Sequence, residues 1–256
     1  MTTLQAIILG IVEGLTEFLP ISSTGHMILA SHFLHIVDSV TLTTFQIVVQ
    51  LGAILAVVIS YHKKLFKVKM IKKLAVAFVP TGIAGIIIFP FIKHLLQNPK
   101  LVAIMLTLGG IIILLVERRY KKQLERGVVS DSSEISYKQA VFLGAFQVLA
   151  IIPGVSRSGA IIVGGLMQKL SRKALVEFSF LLAVPTMIIA TLYTILRKHS
   201  ELSMESVSPI IIGTIVSFFV AFAVIRLALA YIRKHSFVVF GWYRIVVGII
   251  LLLVLW

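Results

Sequence analysis

Cysteine is absent, which removes disulfides and thiol chemistry from consideration. Acidic residues are scarce, with 10 Asp and Glu against 24 Lys and Arg, and the formal net charge is +14. Polar surface is the larger deficit. Only 13% of the 256 residues are charged and 59% are hydrophobic, at a mean hydropathy of +1.05. A soluble domain this apolar would need nearly every helix buried on all sides, so the composition argues against a water-soluble protein and for a polytopic membrane protein. No basic n-region precedes the first apolar segment, and Glu13 and Glu17 interrupt it, so a cleavable signal is not expected. The chain reads as one membrane domain, 1–256.

The positive charge does not call for a nucleic-acid partner, because it is gathered in short stretches between apolar runs. Residues 62–73 (HKKLFKVKMIKK) hold six lysines and 117–126 (ERRYKKQLER) five basic residues, whereas 93–100 and 197–207 hold two Lys or Arg each. The positive-inside rule makes the first two loops cytoplasmic.

Apolar runs long enough to span lie at about 41–61, 74–92, 101–116, 174–196, 208–231 and 238–256, which predicts six transmembrane helices. Two further apolar regions, 4–36 and 138–168, are broken near the middle by Pro, Gly and hydroxyl residues. Irregular backbone at membrane depth requires protein or a wet cavity around it, so both are expected to be re-entrant helix-loop-helix hairpins. The two regions match at an offset of 134 residues: Leu9-Gly10, Glu13, Leu15, Ser22, Thr24 and Gly25 face Leu143-Gly144, Gln147, Leu149, Ser156, Ser158 and Gly159. The expected organisation is repeat 1 over about 1–117, a basic cytoplasmic linker over about 118–136 and repeat 2 over about 137–256. Three spans per unit force opposite orientations, giving an all-α fold with an inverted-topology repeat whose hairpin tips meet near the midplane.

Each hairpin starts its second helix after a hydroxyl cluster, Ser22-Ser23-Thr24 or Ser156-Arg157-Ser158, and Ser and Thr are good N-caps. Two helix N-termini with Arg157 between them make an anion site suited to phosphate. Glu13 and Glu17 lie one turn apart, and each would cost roughly 3 kcal/mol facing lipid at the midplane, so they are expected to face a polar cavity. His26, three residues after Ser23, is a candidate general base, general acid or nucleophile. Carboxylates, a hydroxyl and a histidine opposite an arginine point to phosphoryl transfer.

"EGLTEFLPISSTGH" (13–26) and "PGVSRSGA" (153–160) resemble the paired signatures of the undecaprenyl-diphosphate phosphatase family, also known as the bacitracin-resistance family. The resemblance extends to "VVQLGAILAVV" (48–58) and "EFSFLLAVP" (177–185). It implies an integral-membrane hydrolase of the bacterial plasma membrane, with a pocket open to the outer face. Its substrate would be undecaprenyl diphosphate, cleaved to the monophosphate and inorganic phosphate, recycling the carrier for peptidoglycan synthesis and conferring bacitracin resistance. Glu17, Ser23, His26 and Arg157 fall on the catalytic motif positions, with Glu13, Gly154, Ser156 and Ser158 binding phosphate or supporting it. The resemblance also implies a divalent cation, Mg²⁺ or Ca²⁺, for which Glu13 and Glu17 are the candidate ligands. One departure is Ile161, where the family usually carries threonine; the position receives no role here. Attack by Ser23, by His26 or by activated water all remain open, with Ser23 using His26 as its base preferred and Glu17 orienting His26 or holding the cation.

Other polar residues invite structural readings. Ser22 and Thr24 are expected to cap, Gln147 to hydrogen-bond in the cavity wall, and Glu177 to form an interfacial ion pair as readily as to serve a site. Arg226 and Arg244 are expected to snorkel to the interface, and His32, His35, His62, His94, His199 and His235 to sit near span ends. The small-residue spacing Gly82 to Gly85 is compatible with a homo-oligomer but assigns no interface. A different class of function shares the plan: inverted repeats with broken helices also build secondary transporters, so a transporter or flippase for a lipid phosphate is the alternative. Such a protein would need the anion site but not Glu17, Ser23 and His26 together.

Overall fold

The computed structural model describes residues 1–37, 39–92, 98–129, 134–198, 204–232 and 234–255. Among them every regular element is helical: α1 (Thr3–Thr16), α2 (Ser23–Phe33), α3 (Val40–Val48), α4 (Gln50–Leu65), α5 (Val68–Ile92), α6 (Pro99–Glu125), α7 (Tyr137–Gln147), α8 (Arg157–Met167), α9 (Arg172–Lys198), α10 (Met204–Ile232) and α11 (Val238–Leu255). A short 3-10 turn, Val148–Ile151, follows α7 directly. His94, His199 and Arg233 lie outside the described residues.

Six stretches are long and apolar enough to cross a bilayer: α3 with α4, α5, α6, α9, α10 and α11. Their outer faces carry large exposed side chains such as Ile86, Leu227 and Leu253, a surface that water would not tolerate and lipid requires. This is a multi-pass membrane protein. The spans coincide with those read from hydropathy, but the charged stretches beside them differ from the expected loops. α6 continues to Glu125, and only Phe66 and Lys67 separate α4 from α5. Lys, Arg, Glu and Gln are good helix formers, so the helices run on past the apolar window, and basic residues at the C-terminal ends of α4 and α6 suit the helix dipole.

The two broken regions repeat in their backbone detail. α2 and α8 are both 11 residues long and begin 134 residues apart. Thr2 with Gln5 and Ser136 with Gln139, at the same offset, form capping boxes that start α1 and α7. Elements of the two halves interleave: α1 packs on α10, α7 on α5, α4 on α9 and α6 on α11.

The main core gathers α4, α8, α9 and α10 around Phe180, Leu181 and Leu182. Phe18, in the break between α1 and α2, reaches into it and meets Phe180 edge-on with ring centroids 4.9 Å apart. Close crossings bring the broken segments to the spans. Gly144 of α7 lies so near α5 that an added Cβ would stand 1.8 Å from the Ala77 carbonyl oxygen, and its counterpart Gly10 would meet Gly213 of α10 at 2.6 Å. Gly85, in contrast, faces open space.

Gly144→Val should therefore lower the thermal midpoint of the detergent-solubilised protein, by an overpacking penalty of about 1–3 kcal/mol or more. Gly85→Ala should leave that midpoint unchanged or slightly raised. Equal midpoints for the two variants would contradict the close α5–α7 crossing.

Candidate active site

α1 ends at Thr16 and the chain turns through 17–22 before α2; the second region breaks over 152–156 before α8. Both breaks finish on a serine of positive φ, Ser22 at 71° and Ser156 at 72°. Each serine hydroxyl accepts from the third amide of the helix it starts, Gly25 at 3.3 Å and Gly159 at 3.1 Å. A left-handed residue is costly outside glycine, so these caps hold backbone that the surrounding packing must impose. Gly154, at φ +90°, turns beside α6 where an added Cβ would stand 2.8 Å from the Val102 carbonyl oxygen.

The two helix starts meet. Ser158 donates to the Leu19 carbonyl at 2.8 Å, joining the second hairpin to the first. Ser23 and Arg157, each the first residue of its helix, converge on Glu17: the Ser23 hydroxyl donates to Oε2, and the Arg157 Nη2 donates to Oε1 at 3.0 Å. All three are buried. Arg157 also donates from Nη1 to the Ser179 carbonyl at 2.6 Å, while its buried Nε has no partner among the described residues. Ser156 and Ser158 hydroxyls lie 3.2 Å apart.

Glu13 sits one turn before Glu17, fully buried, and neither of its carboxylate oxygens has a hydrogen-bond partner among the described residues. Such an orphaned pair of hard oxygens is what a divalent cation or a proton would satisfy. Among the described residues no group of three or more His, Asp or Glu could hold a metal alone. Glu13 and Glu17 thus fit a cation only as part of a ligand set that phosphate oxygens and water would complete.

His26 lies apart from Ser23. Its Nδ1 is 2.8 Å from the Ser22 carbonyl, and its Nε2 is 2.8 Å from the Tyr243 hydroxyl. The expected Ser23–His26 and Glu17–His26 hydrogen bonds are not made, because on α2 the serine turns inward to Glu17 and the histidine outward to Tyr243 of α11. The Tyr243 ring is nearly parallel to the imidazole, 10° between planes. Sequence reasoning missed Tyr243, which carries no motif signal.

Arg244 corrects an expectation outright. It does not snorkel; it is the largest fully buried side chain among the described residues. Its guanidinium donates five hydrogen bonds: Nη1 to the Pro20 and Val155 carbonyls at 3.0 and 3.1 Å, Nη2 to Gly154 and Met105 at 2.9 and 3.1 Å, and Nε to Leu106 at 3.3 Å. It therefore ties both breaks to α6. Gly109 makes the room, since a Cβ there would stand 2.1 Å from Arg244 Nη2. The Gly109-Gly110 pair opposite Gly241 was the available signal for a side chain passing between closely packed helices. Arg226, by contrast, is exposed and lies over the Phe222 ring.

The remaining polar residues act as ties between helices. Gln147 donates to Thr81 at 2.9 Å and Thr186 at 3.3 Å. Glu177 pairs with Lys64. Glu117, buried on α6, accepts from Arg172 at 3.0 and 2.7 Å and from the Phe237 amide at 2.8 Å, fixing the starts of α9 and α11. Ile161 is fully buried in the apolar core.

The family model described as bacitracin resistance protein BacA matches residues 6–250. A protein named undecaprenyl-diphosphatase from Sulfurihydrogenibium sp. (strain YO3AOP1) is 47% identical over 250 residues, covering 98% of this chain and 98% of its own. Proteins of the same name from Flavobacterium johnsoniae, 49% identical over 258 residues (99% and 96% covered), and Methanococcus aeolicus, 45% identical over 254 residues (99% and 98% covered), are similar along their whole length.

Arg244→Met should destabilise the protein by at least about 3 kcal/mol, since it strips donors from buried carbonyls in both breaks. A thermal midpoint in detergent within a degree or two of the parent would refute the clamp.

Proposed function

The chain belongs to the bacitracin-resistance protein family, and we propose that its paired helix starts hydrolyse undecaprenyl diphosphate to undecaprenyl phosphate and inorganic phosphate. The product would re-enter cell-wall synthesis as the lipid carrier, and lowering the diphosphate pool gives bacitracin resistance. One observation carries the mechanism: the chain of hydrogen bonds from the Ser23 hydroxyl through the Glu17 carboxylate to the Arg157 guanidinium.

In this reading the two broken regions are re-entrant hairpins of an inverted repeat, with tips at membrane depth. The shared offset of the caps and the exchange of partners, α1 on α10 but α7 on α5, support it. In the same reading the basic residues keep the α4–α5 turn on the cytoplasmic side of the plasma membrane and the site opens toward the outer face.

The terminal phosphate enters between the helix starts, where first-turn amides and Arg157 receive its oxygens. Phosphate competes with Glu17 for the guanidinium. As Arg157 turns to the phosphate, Glu17 loses its countercharge and becomes a stronger base toward Ser23. Ser23 Oγ attacks the terminal phosphorus in line; its proton passes to Glu17, the Ser23 Oγ–P bond forms, and the bridging P–O bond breaks to release undecaprenyl phosphate. Water then attacks the phosphoserine phosphorus, giving a proton to His26; the Ser23 Oγ–P bond breaks, Glu17 returns its proton to Oγ, and His26 releases its proton as phosphate leaves. His26, held by Ser22 and Tyr243 at the more open side of α2, serves the water-activating step. Glu13 and Glu17 are the residues that would hold Mg²⁺ or Ca²⁺ beside the diphosphate, an ion that neutralises developing charge on its oxygens.

Inorganic phosphate release from undecaprenyl diphosphate should be measurable with the purified protein. Ser23→Ala, Glu17→Gln and Arg157→Ala should each lower kcat by about 10²-fold or more while remaining folded. Labelled diphosphate trapped by acid should leave an acid-stable phosphoserine on the parent only. No phosphate release by the folded parent, with and without Mg²⁺ or Ca²⁺, would reject hydrolysis and favour lipid-phosphate transport.

A further inference from the structure

Far from these residues in sequence, where α4 hands over to α5, a cavity of about 330 Å³ is lined by five lysines: Lys63, Lys64, Lys67, Lys69 and Lys73. Two carboxylates answer them. Glu177 pairs with Lys64, and Glu134 pairs with Lys69 at 2.8 Å. Among the described residues three positive charges are left over. The remaining wall is apolar and belongs to membrane helices, with Met70 of α5 and Phe178 and Leu181 of α9.

Lys73 is the telling residue. Positive-inside placement explains lysines that extend into water, as Lys63 and Lys67 do, but the Lys73 side chain is only 7% exposed. Its ammonium has no hydrogen bond among the described residues. The nearest carboxylate oxygen, of Glu134, is 3.9 Å away and already bound by Lys69, and the Tyr137 ring centre lies at 5.9 Å. A buried ammonium with such distant partners is costly unless an anion completes it.

We propose that this cavity binds the phosphate headgroup of an anionic membrane phospholipid, with Lys73 at its floor, Lys63 and Lys67 at its rim, and the acyl chains leaving past Met70 toward the exposed apolar side chains Phe66, Val68 and Ile71. A soluble phosphate would satisfy the lysines but has no use for the exposed Phe66, Val68 and Ile71 that alternate with them along the chain, whereas a lipid uses both. Basic pockets between membrane helices at the charged end of a bundle recognise acidic headgroups by the same chemistry. The inference rests on the membrane placement of α4, α5 and α9 and not on the phosphatase reading, since none of these lysines touches the Glu17–Arg157 site.

The test is native mass spectrometry of the full-length protein in detergent, titrated with phosphatidylglycerol or phosphatidylcholine. The parent should retain phosphatidylglycerol at least about tenfold more tightly than phosphatidylcholine, and Lys63→Gln/Lys67→Gln/Lys73→Gln should abolish the preference. Should the triple variant misfold, Lys63→Gln/Lys67→Gln changes exposed residues only and should still weaken phosphatidylglycerol about tenfold. Equal retention of the two lipids by the parent, or an unchanged preference in a folded variant, overturns the proposal. So does displacement of bound phosphatidylglycerol by millimolar inorganic phosphate, which would make the cavity a site for a soluble anion.

Discussion

A single guanidinium, with no carboxylate in contact with it among the described residues, ties the two broken segments to each other and to α6. Burying an uncompensated cation costs several kcal/mol even after relaxation, and Arg244 meets that cost with five backbone carbonyls. The same contacts solve a second problem. Chain that leaves helical geometry inside an apolar interior exposes carbonyls that lipid cannot satisfy. Pro20 in one break and Gly154 and Val155 in the other are such carbonyls, so the breaks and the arginine require one another. The fit depends on the close packing of α6 on α11, which Gly109, Gly110 and Gly241 permit.

Once the breaks are clamped, the charges between them follow. Glu17 is shared between Ser23 and Arg157, and Glu13 behind it has no donor among the described residues. Two carboxylates crowded together in low dielectric repel strongly, and Arg157 is the cation that holds them. If phosphate binds as proposed, it must draw the arginine away from Glu17. Such binding by exchange would penalise ligands that offer too little negative charge to compete, which would disfavour the monophosphate product relative to the diphosphate. A neutral lipid headgroup would leave the ion pair shut.

Much of this was legible in the sequence, for reasons that also explain what was not. The six spans were visible because a bilayer demands long apolar runs, and the paired breaks because hydroxyls and glycine interrupt apolar sequence only at a cost. Glu17 and Arg157, 140 residues apart, could be brought together on paper because the 134-residue offset aligned their hairpins. Side-chain direction was not legible. Ser23 and His26 share a helix at a spacing that allows contact, yet packing turns one toward Glu17 and the other toward Tyr243. Arg244 was misread for a related reason: an arginine in an apolar helix near its basic end has the same local sequence whether it snorkels or is buried. Only the glycines of a distant helix distinguish the two. The ends of α4 and α6 were misread because hydropathy marks where lipid stops, and helix propensity continues past that point.

The divergence between the halves bears on what the fold is used for. A transporter built on inverted repeats works by exchanging two nearly equivalent arrangements, so its halves gain by staying interchangeable. Here the two broken regions match in backbone, down to the capping boxes and the positive-φ serines, while their chemistry differs. At the shared offset Glu13 faces Gln147, Glu17 faces Ile151, Ser23 faces Arg157 and His26 faces Ala160. One hairpin has kept acids, a hydroxyl and an imidazole, and the other an arginine and helix-capping serines. Exchanging their roles would put the arginine where the nucleophile stands and leave no base. A site whose halves cannot trade places is poorly suited to alternating access and well suited to holding a phosphate from one side while attacking it from the other.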